Sequence, residues 1–221
     1  MVNGGIKSKE RVSKLGEVFT PEHIVKDMLD LVKDESYRID SNFLEPACGN
    51  GNFLVEILRR KLKTAGEQSK EDYNKNVFIA VSSIYAIDIM PDNIKEAKDR
   101  MIDIIKSKYD DIMGCGIGSN IEKSIKYILN NNIIWGNTLT GLYEPKQDTE
   151  IIIAEWSISD DDDMVVRKDY IFNNLTSELL RNVEIKRYEP IEFWKIHELD
   201  KVEKKDRRKA SDIFDELKKS K

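Results

Sequence analysis

Apolar residues occur along the first half of the chain in alternating strand-like and helix-like runs. A short apolar run ends in an acid at Phe43–Glu45, a glycine turn follows, and apolar residues then recur at helical spacing over 53–58. A second run, Ile84–Ile89, is apolar on both sides, which is typical of a buried parallel strand, and a third spans Ile133–Trp135. This order predicts a doubly wound α/β fold that binds a ligand across the carboxyl ends of its strands.

Helices and loops are predicted between these strands. Thr20 is a good N-cap and Pro21 suits a first helical turn, so the apolar residues over 24–32 predict a helix. Phe19 is either a staple onto that helix or a side chain packed on a ligand at the glycine turn. The other expectations are a helix ending near Leu62, a polar linker over 64–76, a helix beginning at Pro91, a loop over 110–120 and a short helix over 121–129.

The second half of the chain has a different pattern. Two β-like runs, 151–158 and 164–172, flank the acids at 160–163 and predict a β-hairpin. A short helix over 175–180 and strands over 183–188 and 191–196 are expected next. One narrow apolar stripe in the charged tail predicts a terminal helix that docks on the body or on another chain; it consists of Ala210, Ile213, Phe214 and Leu217. We therefore expect a mobile basic arm over 1–15, one domain over 16–197 and a helical tail over 198–221.

Composition limits the classes of protein to be considered. The 221 residues are 40% hydrophobic, which is enough to form the core of one sizeable domain. No run is long enough to span a membrane and the first residues have no apolar signal core, so a soluble, cytoplasmic protein is expected. The net charge of −5 argues against a protein that binds nucleic acid unaided, and a local basic patch is the alternative that remains open. Two cysteines, Cys48 and Cys115, and no Cys/His cluster indicate neither a disulfide framework nor a metal site.

Polar side chains at the strand ends suggest the chemistry of the ligand. Glu45 ends the first strand, where its carboxylate can contact an ammonium group or a ribose. Asp88 ends the second strand and is placed to accept hydrogen bonds from ribose hydroxyls, with Ile89 beside it to pack on an adenine ring. Asn137 follows the third strand and either bonds to a base edge, with Leu139 covering the face of the base, or forms a simple Asn turn.

Four motifs in this order resemble those of the N6-adenine DNA methyltransferases of restriction-modification systems. They are GEVFTP at 16–21, EPACGNG at 45–51, AIDIMPDN at 86–93 and GNTL at 136–139, which look like motifs X, I, II and III. The resemblance implies a class I methyltransferase fold and S-adenosyl-L-methionine as cofactor. By carry-over, the cofactor-binding residues are Phe19, Thr20 and Pro21 at the methionine end, Glu45, Ala47 and Gly49 at the amino-acid portion, Asp88 at the ribose, and Ile89, Asn137 and Leu139 at the adenine.

The resemblance ends where the acceptor chemistry is expected. The family carries N/D/S-P-P-Y/F/W after the fourth strand, whereas this chain has no Pro-Pro dipeptide. Glu155 and Trp156 supply an acceptor and an aromatic ring in about that place, and they are the candidate catalytic residues. Strand alternation, however, puts Trp156 on the same face as Ala154, which favours a core tryptophan over a ring that stacks on a flipped base.

Several functions follow from this resemblance. The first is an S-adenosylmethionine-dependent adenine-N6 DNA methyltransferase in a reduced form, or a subunit whose partner contacts DNA and supplies the acceptor loop, because no long target-recognition domain is evident. The alternative is a non-catalytic, cofactor-binding homologue that acts as a regulatory or interaction module. A third is methylation of a substrate other than DNA.

Overall fold

The computed structural model of the chain describes residues 7–159, 163–176 and 183–201. The helices are α1 (Lys9–Leu15), α2 (Glu22–Asp30), α3 (Lys33–Tyr37), α4 (Asn52–Gln68), α5 (Tyr73–Ser82), α6 (Pro91–Met113) and α7 (Ser119–Asn132), with 3-10 turns at Phe172–Thr176 and Phe193–Glu198. The strands are β1 (Phe43–Glu45), β2 (Ile84–Asp88), β3 (Ile133–Asn137), β4 (Leu142–Tyr143), β5 (Lys146–Glu150), β6 (Ile152–Ile158), β7 (Met164–Ile171), β8 (Lys186–Arg187) and β9 (Ile191–Glu192).

The first sheet has the strand order β1-β2-β3-β4-β5. Strands β1, β2 and β3 are parallel, as predicted, with Glu45 opposite Ala86 and Asp88 opposite Trp135. Strands β4 and β5 extend the sheet in antiparallel fashion beyond β3. The carboxyl ends of β1, β2 and β3 therefore lie at one edge, where parallel α/β sheets bind ligands.

Different elements cover the two faces of this sheet. Ala86 and Ile133 lie in the main core together with residues of α4, α5, α6 and α7. Ile87 and Ile134, which point to the opposite face, pack in a smaller buried cluster with Ile151 and Phe172. The mixed α/β class is as predicted, but the doubly wound arrangement is not found in the described residues. The second face is covered there by residues that flank a β-hairpin.

That hairpin forms a second sheet. Strands β6 and β7 pair in antiparallel fashion from Ile152–Ile171 to Ile158–Val165, which confirms the predicted hairpin, and residues 160–162 lie outside the described part. Strands β8 and β9 pair with β7 over two residues each, so the strands expected over 183–188 and 191–196 are much shorter than predicted. The expected helix over 175–180 falls largely outside the described residues.

Helices α4, α5 and α6 extend into segments that the sequence pattern predicts as irregular. Helix α4 continues to Gln68, and α5 begins at Tyr73 inside the expected polar linker. Tyr73 is fully buried, and its ring contacts that of Tyr109 edge-on, with centroids 5.1 Å apart, so α5 packs its apolar face into the main core. Helix α6 extends to Met113, and Gly114 ends it in a left-handed conformation, so the predicted loop begins later than expected.

The basic amino-terminal segment also differs from the prediction. Instead of a mobile arm, its described part contains helix α1, whose N-cap Ser8 accepts a hydrogen bond from the Arg11 N–H. Lys7 and Arg11 form ion pairs with Asp92 at 2.9 and 2.7 Å, which attach this segment to α6. The apolar stripe of the predicted terminal helix lies beyond residue 201, outside the described residues.

Candidate functional site

The glycine turn between β1 and α4 is a tight, well-bonded loop. The Cys48 N–H donates to the Ile87 carbonyl at 3.1 Å and the Gly51 N–H to the Cys48 carbonyl at 2.9 Å. Gly49 and Gly51 have φ values of +52° and +86°, a region that other residues rarely adopt. A Cβ on Gly51 would lie 2.8 Å from the Cβ of Ala97, so the turn needs glycine for both conformation and space.

Asp88 connects the end of β2 to this turn. Its Oδ2 accepts a 2.8 Å hydrogen bond from the Gly49 N–H, and its Oδ1 accepts one of the same length from the Met90 N–H. Asn93 Nδ2 donates to the same Oδ1 at 3.3 Å. An ionised carboxylate has about four lone-pair sites, so these three bonds leave one for a ligand. The side chain is 9% exposed, and the protein therefore fixes its orientation before any ligand binds.

The segment from Phe19 to Pro21 contacts the glycine turn and the start of α4 through Phe19 and Thr20. A Cβ on Gly49 would meet the Phe19 ring at 3.0 Å, so the ring covers the turn directly. The prediction that Thr20 is the N-cap of α2 is wrong, because Pro21 occupies that position and no side chain caps the helix. The Thr20 carbonyl instead accepts a 2.8 Å bond from Asn52 Nδ2, which anchors the segment to the start of α4.

The carboxylate of Glu45 ends β1 beside the same turn. Burial raises the pKa of Glu45, and a hydrogen bond from the Ala47 N–H opposes the shift only in part. No cationic side chain contributes to this shift in the described part of the chain. A half-buried carboxylate of this kind gains stability when a ligand brings a positive charge to it. Burial also raises the pKa of the adjacent Cys48 thiol, so this cysteine stays protonated.

Apolar side chains are exposed at the ends of β2 and β3. Ile89 is 39% exposed and Leu139 is 96% exposed. The indole N–H of Trp135 donates to the Ile89 carbonyl at 3.0 Å and fixes the loop after β2. Asn137 Oδ1 accepts bonds from the N–H groups of Leu139 and Thr140 at 3.0 and 3.4 Å, so its side chain forms the Asn turn that the sequence left open.

Glu155 and Trp156 are not brought to this site. They line a separate cavity of about 950 Å³, whose other walls include Ile39, Asn42 and Ser83 at the amino ends of β1 and β2. Trp156 donates its indole N–H to Asn132 at 2.9 Å and packs on the main core. Strand β6 runs away from the carboxyl edge of the first sheet, so the position of these two residues argues against the predicted catalytic role.

Glu17 and Asn93 are not among the predicted site residues, although both lie within the quoted motifs. Asn93 is 1% exposed, and its Nδ2 donates to Glu17 Oε1 at 2.7 Å as well as to Asp88. The only sequence signal was the place of Asn93 in the first turn of the helix after Asp88. The contact with Glu17 joins residues 76 positions apart, which a local pattern does not reveal.

Among the described residues, no group of three or more His, Cys, Asp or Glu side chains is placed to hold a metal ion. No helix in the same residues is long and apolar enough to cross a membrane.

Comparisons with known proteins agree with the motif pattern. Residues 7–108 match the family model described as N-6 DNA Methylase. The adenine-specific methyltransferase PglX of Streptomyces coelicolor is 28% identical over 88 residues, which are 38% of this chain and 7% of that protein. The type II methyltransferase M.VspI of Vibrio sp. is 29% identical over 151 residues, which are 65% of this chain and 30% of that protein. The chain thus spans only a minor part of each relative, and no solved structure matches it.

Proposed function

We propose, from the match of residues 7–108 to the N-6 DNA Methylase family, that the chain binds S-adenosylmethionine at the carboxyl ends of β1, β2 and β3. One observation carries the proposal: the carboxylates of Glu45 and Asp88 end adjacent parallel strands beside one glycine turn. Glu45 suits the ammonium group, because it is half-buried and its pKa shift involves no cation among the described residues. Asp88 suits a ribose hydroxyl, because one lone pair remains for it.

The other residues of the site complete the proposed cradle. In this proposal Ala47 and Gly49 lie beside the amino-acid portion, with Phe19, Thr20 and Pro21 at the methionine end. The exposed side chains of Ile89 and Leu139 are available to the adenine ring. The Oδ1 atom of Asn137 accepts a hydrogen bond within the turn, so its side-chain Nδ2 group is the one that would donate to a base edge. The bound cofactor supplies a methyl group on a sulfonium, and these residues bind and orient it.

We further propose that the methyl acceptor is adenine N6 in DNA and that a partner polypeptide supplies the contacts to it. The chain lacks the Pro-Pro motif of the family, and Glu155 and Trp156 line a cavity at the opposite end of the strands. A net charge of −5 also disfavours unaided binding to a polyanion. In this proposal the chain is the cofactor-binding subunit of a methyltransferase, and it also helps to position the methyl donor relative to the acceptor.

A non-catalytic homologue that binds the cofactor is the second candidate. The same displacement of Glu155 and Trp156 favours it, because the two candidate acceptor residues line a cavity at the other end of the strands. The two candidates differ in whether a partner restores methyl transfer, whereas both require the cofactor to bind.

Binding and transfer measured in one preparation test the proposal. The purified chain is titrated with S-adenosylmethionine and then incubated with the methyl-labelled cofactor and adenine-containing DNA of mixed sequence, alone and with proteins co-purified from its host. We expect saturable binding, no transfer by the chain alone, and transfer in the presence of the partner. Transfer by the chain alone would place the acceptor site within it. No transfer with any partner would favour the non-catalytic homologue, and no binding would overturn the cofactor assignment.

A further inference from the structure

Asn93 is a buried amide placed between two carboxylates. Its Nδ2 group donates to Glu17 Oε1 at 2.7 Å and to Asp88 Oδ1 at 3.3 Å, while its Oδ1 accepts from Lys7 Nζ at 2.8 Å. Both N–H donors and the carbonyl acceptor of the side chain are thus used. The amide therefore bridges the carboxylates of Glu17 and Asp88.

The Glu17 end of this network connects to the amino-terminal segment. Arg11 pairs with Glu17 at 2.5 Å and with Asp92 at 2.7 Å, and the Glu17 side chain is only 10% exposed. Lys7 pairs with Asp92 and Glu96 at 2.9 Å and lies 5.9 Å from the centroid of the Phe19 ring. A continuous set of polar contacts therefore runs from helix α1 through Glu17 and Asn93 to Asp88.

We propose that Asn93 is a positioning residue for the cofactor site. Asn93 holds the Asp88 carboxylate with its remaining lone pair toward the ribose, and it links that orientation to the amino-terminal segment through Glu17. The inference rests on the proposed cofactor site. The terminal torsion of an aspartate is broad. Without Asn93, Oδ1 of Asp88 would retain only the hydrogen bond from the Met90 N–H among those in the described residues. Glu17 would lose the donor that lies between it and Asp88.

Affinity for S-adenosylmethionine, measured by calorimetry on the full chain, tests this role. The variants are Asn93→Ala, Asp88→Ala and the double variant. Asn132→Ala is the matched control, because Asn132 is also a fully buried amide but bonds to the carbonyls of Ser82 and Ile84, away from the site. We expect Asn93→Ala to weaken binding about tenfold and Asn132→Ala to change it less than about twofold. In the Asp88→Ala background, Asn93→Ala is expected to have no further effect.

A second ligand separates positioning from general destabilisation. For an S-adenosylmethionine analogue that lacks both ribose hydroxyls, Asn93→Ala is expected to bind as the unchanged chain does. Unchanged affinity in Asn93→Ala while Asp88→Ala weakens binding would overturn the inference and leave the cofactor site standing. Unchanged affinity in Asp88→Ala would overturn the cofactor site and the inference with it. If Asn93→Ala does not fold, Glu17→Ala takes its place, and full affinity in that variant would overturn the link to the amino-terminal segment.

Discussion

The backbone N–H of Gly49 donates a 2.8 Å hydrogen bond to Oδ2 of Asp88. The two residues are 39 positions apart, and the bond joins the glycine turn after β1 to the end of β2. The second oxygen of the same carboxylate accepts the Met90 N–H at 2.8 Å. One side chain therefore holds the loops after two adjacent strands, and the proposed cofactor site is preorganised by the sheet itself.

Gly51→Ala is expected to lower the free energy of unfolding by about 2–4 kcal/mol, measured by urea denaturation. The alanine would have to adopt the left-handed backbone conformation of Gly51, and its Cβ would lie 2.8 Å from the Cβ of Ala97. Gly114→Ala is the control, because Gly114 has a φ of +67° but open space around it. It isolates the conformational cost of about 1–2 kcal/mol. Equal losses in the two variants would contradict the close packing of α4 on α6.

Trp156→Ala is expected to cost about 3–5 kcal/mol of stability and to leave the affinity for S-adenosylmethionine unchanged. The ring packs edge-on against Tyr127, with centroids 6.1 Å apart, and bonds to Asn132. Trp156→Phe keeps an aromatic ring and loses the hydrogen bond, so a smaller loss of about 1–2 kcal/mol is expected. Denaturation and calorimetry on the same samples check both effects. Weaker cofactor binding with full stability would instead support a role at the site.

The affinity for S-adenosylmethionine is expected to fall as the pH is lowered through the raised pKa of Glu45. Burial favours the neutral acid in the free chain, whereas a bound ammonium favours the carboxylate, so binding releases a proton in this range. Calorimetric titrations at about pH 5 and about pH 7 measure the change. Glu45→Gln is expected to bind more weakly at the higher pH and to lose most of the pH dependence. The same pH dependence in that variant would exclude Glu45 as the group responsible.

Lys61 is expected to make the fold more stable as the pH rises from about 7 to its ordinary pKa of 10.5. The side chain is fully buried, donates to the carbonyls of Ile39 and Ser41 and to the Ser83 hydroxyl, and burial lowers its pKa to about 7. In this range the folded chain binds fewer protons than the unfolded chain, so the unfolding free energy rises by at most about 1.4 kcal/mol per pH unit.

Denaturation of Lys61→Met measured across that range checks the assignment. We expect this variant to be less stable and to lose the rise, because the titrating group is gone. Lys63→Met is the matched control, since Lys63 lies on the same helix with its side chain 62% exposed, and it is expected to keep the rise. A rise that persists in Lys61→Met would assign the effect to another group.

The parts of the fold that sequence predicted correctly are those with local signals. The three parallel strands were visible as apolar runs, and the turn at Gly49 and Gly51 as glycines between a strand and a helix. Asp88 was identified because an acid ends the second run. Helix α5 was missed because the residues before Val77 are polar in composition, and fully buried Tyr73 was counted as part of a linker.

The parts that sequence did not predict depend on contacts between distant segments. Strand β6 was expected to bring Glu155 and Trp156 to the site, but it runs away from the carboxyl edge, and both residues line the cavity at the amino ends of β1 and β2. The hydrogen bond from the Tyr85 hydroxyl to the Ala154 carbonyl, 69 positions away, helps to hold it there. The contact between Glu17 and Asn93 is likewise invisible in a local pattern, although it completes the environment of Asp88.

Calorimetric titration of the purified chain and of Asp88→Ala with S-adenosylmethionine tests the central claim most directly. Asp99→Ala is the control, because Asp99 is an exposed acid on α6 that pairs with Lys95. We predict saturable binding by the unchanged chain and by Asp99→Ala, and binding weaker by about 1–3 kcal/mol, or about 5–150-fold, in Asp88→Ala. Equal affinity in the Asp88 variant, or no binding by the unchanged chain, would contradict the proposed cofactor site.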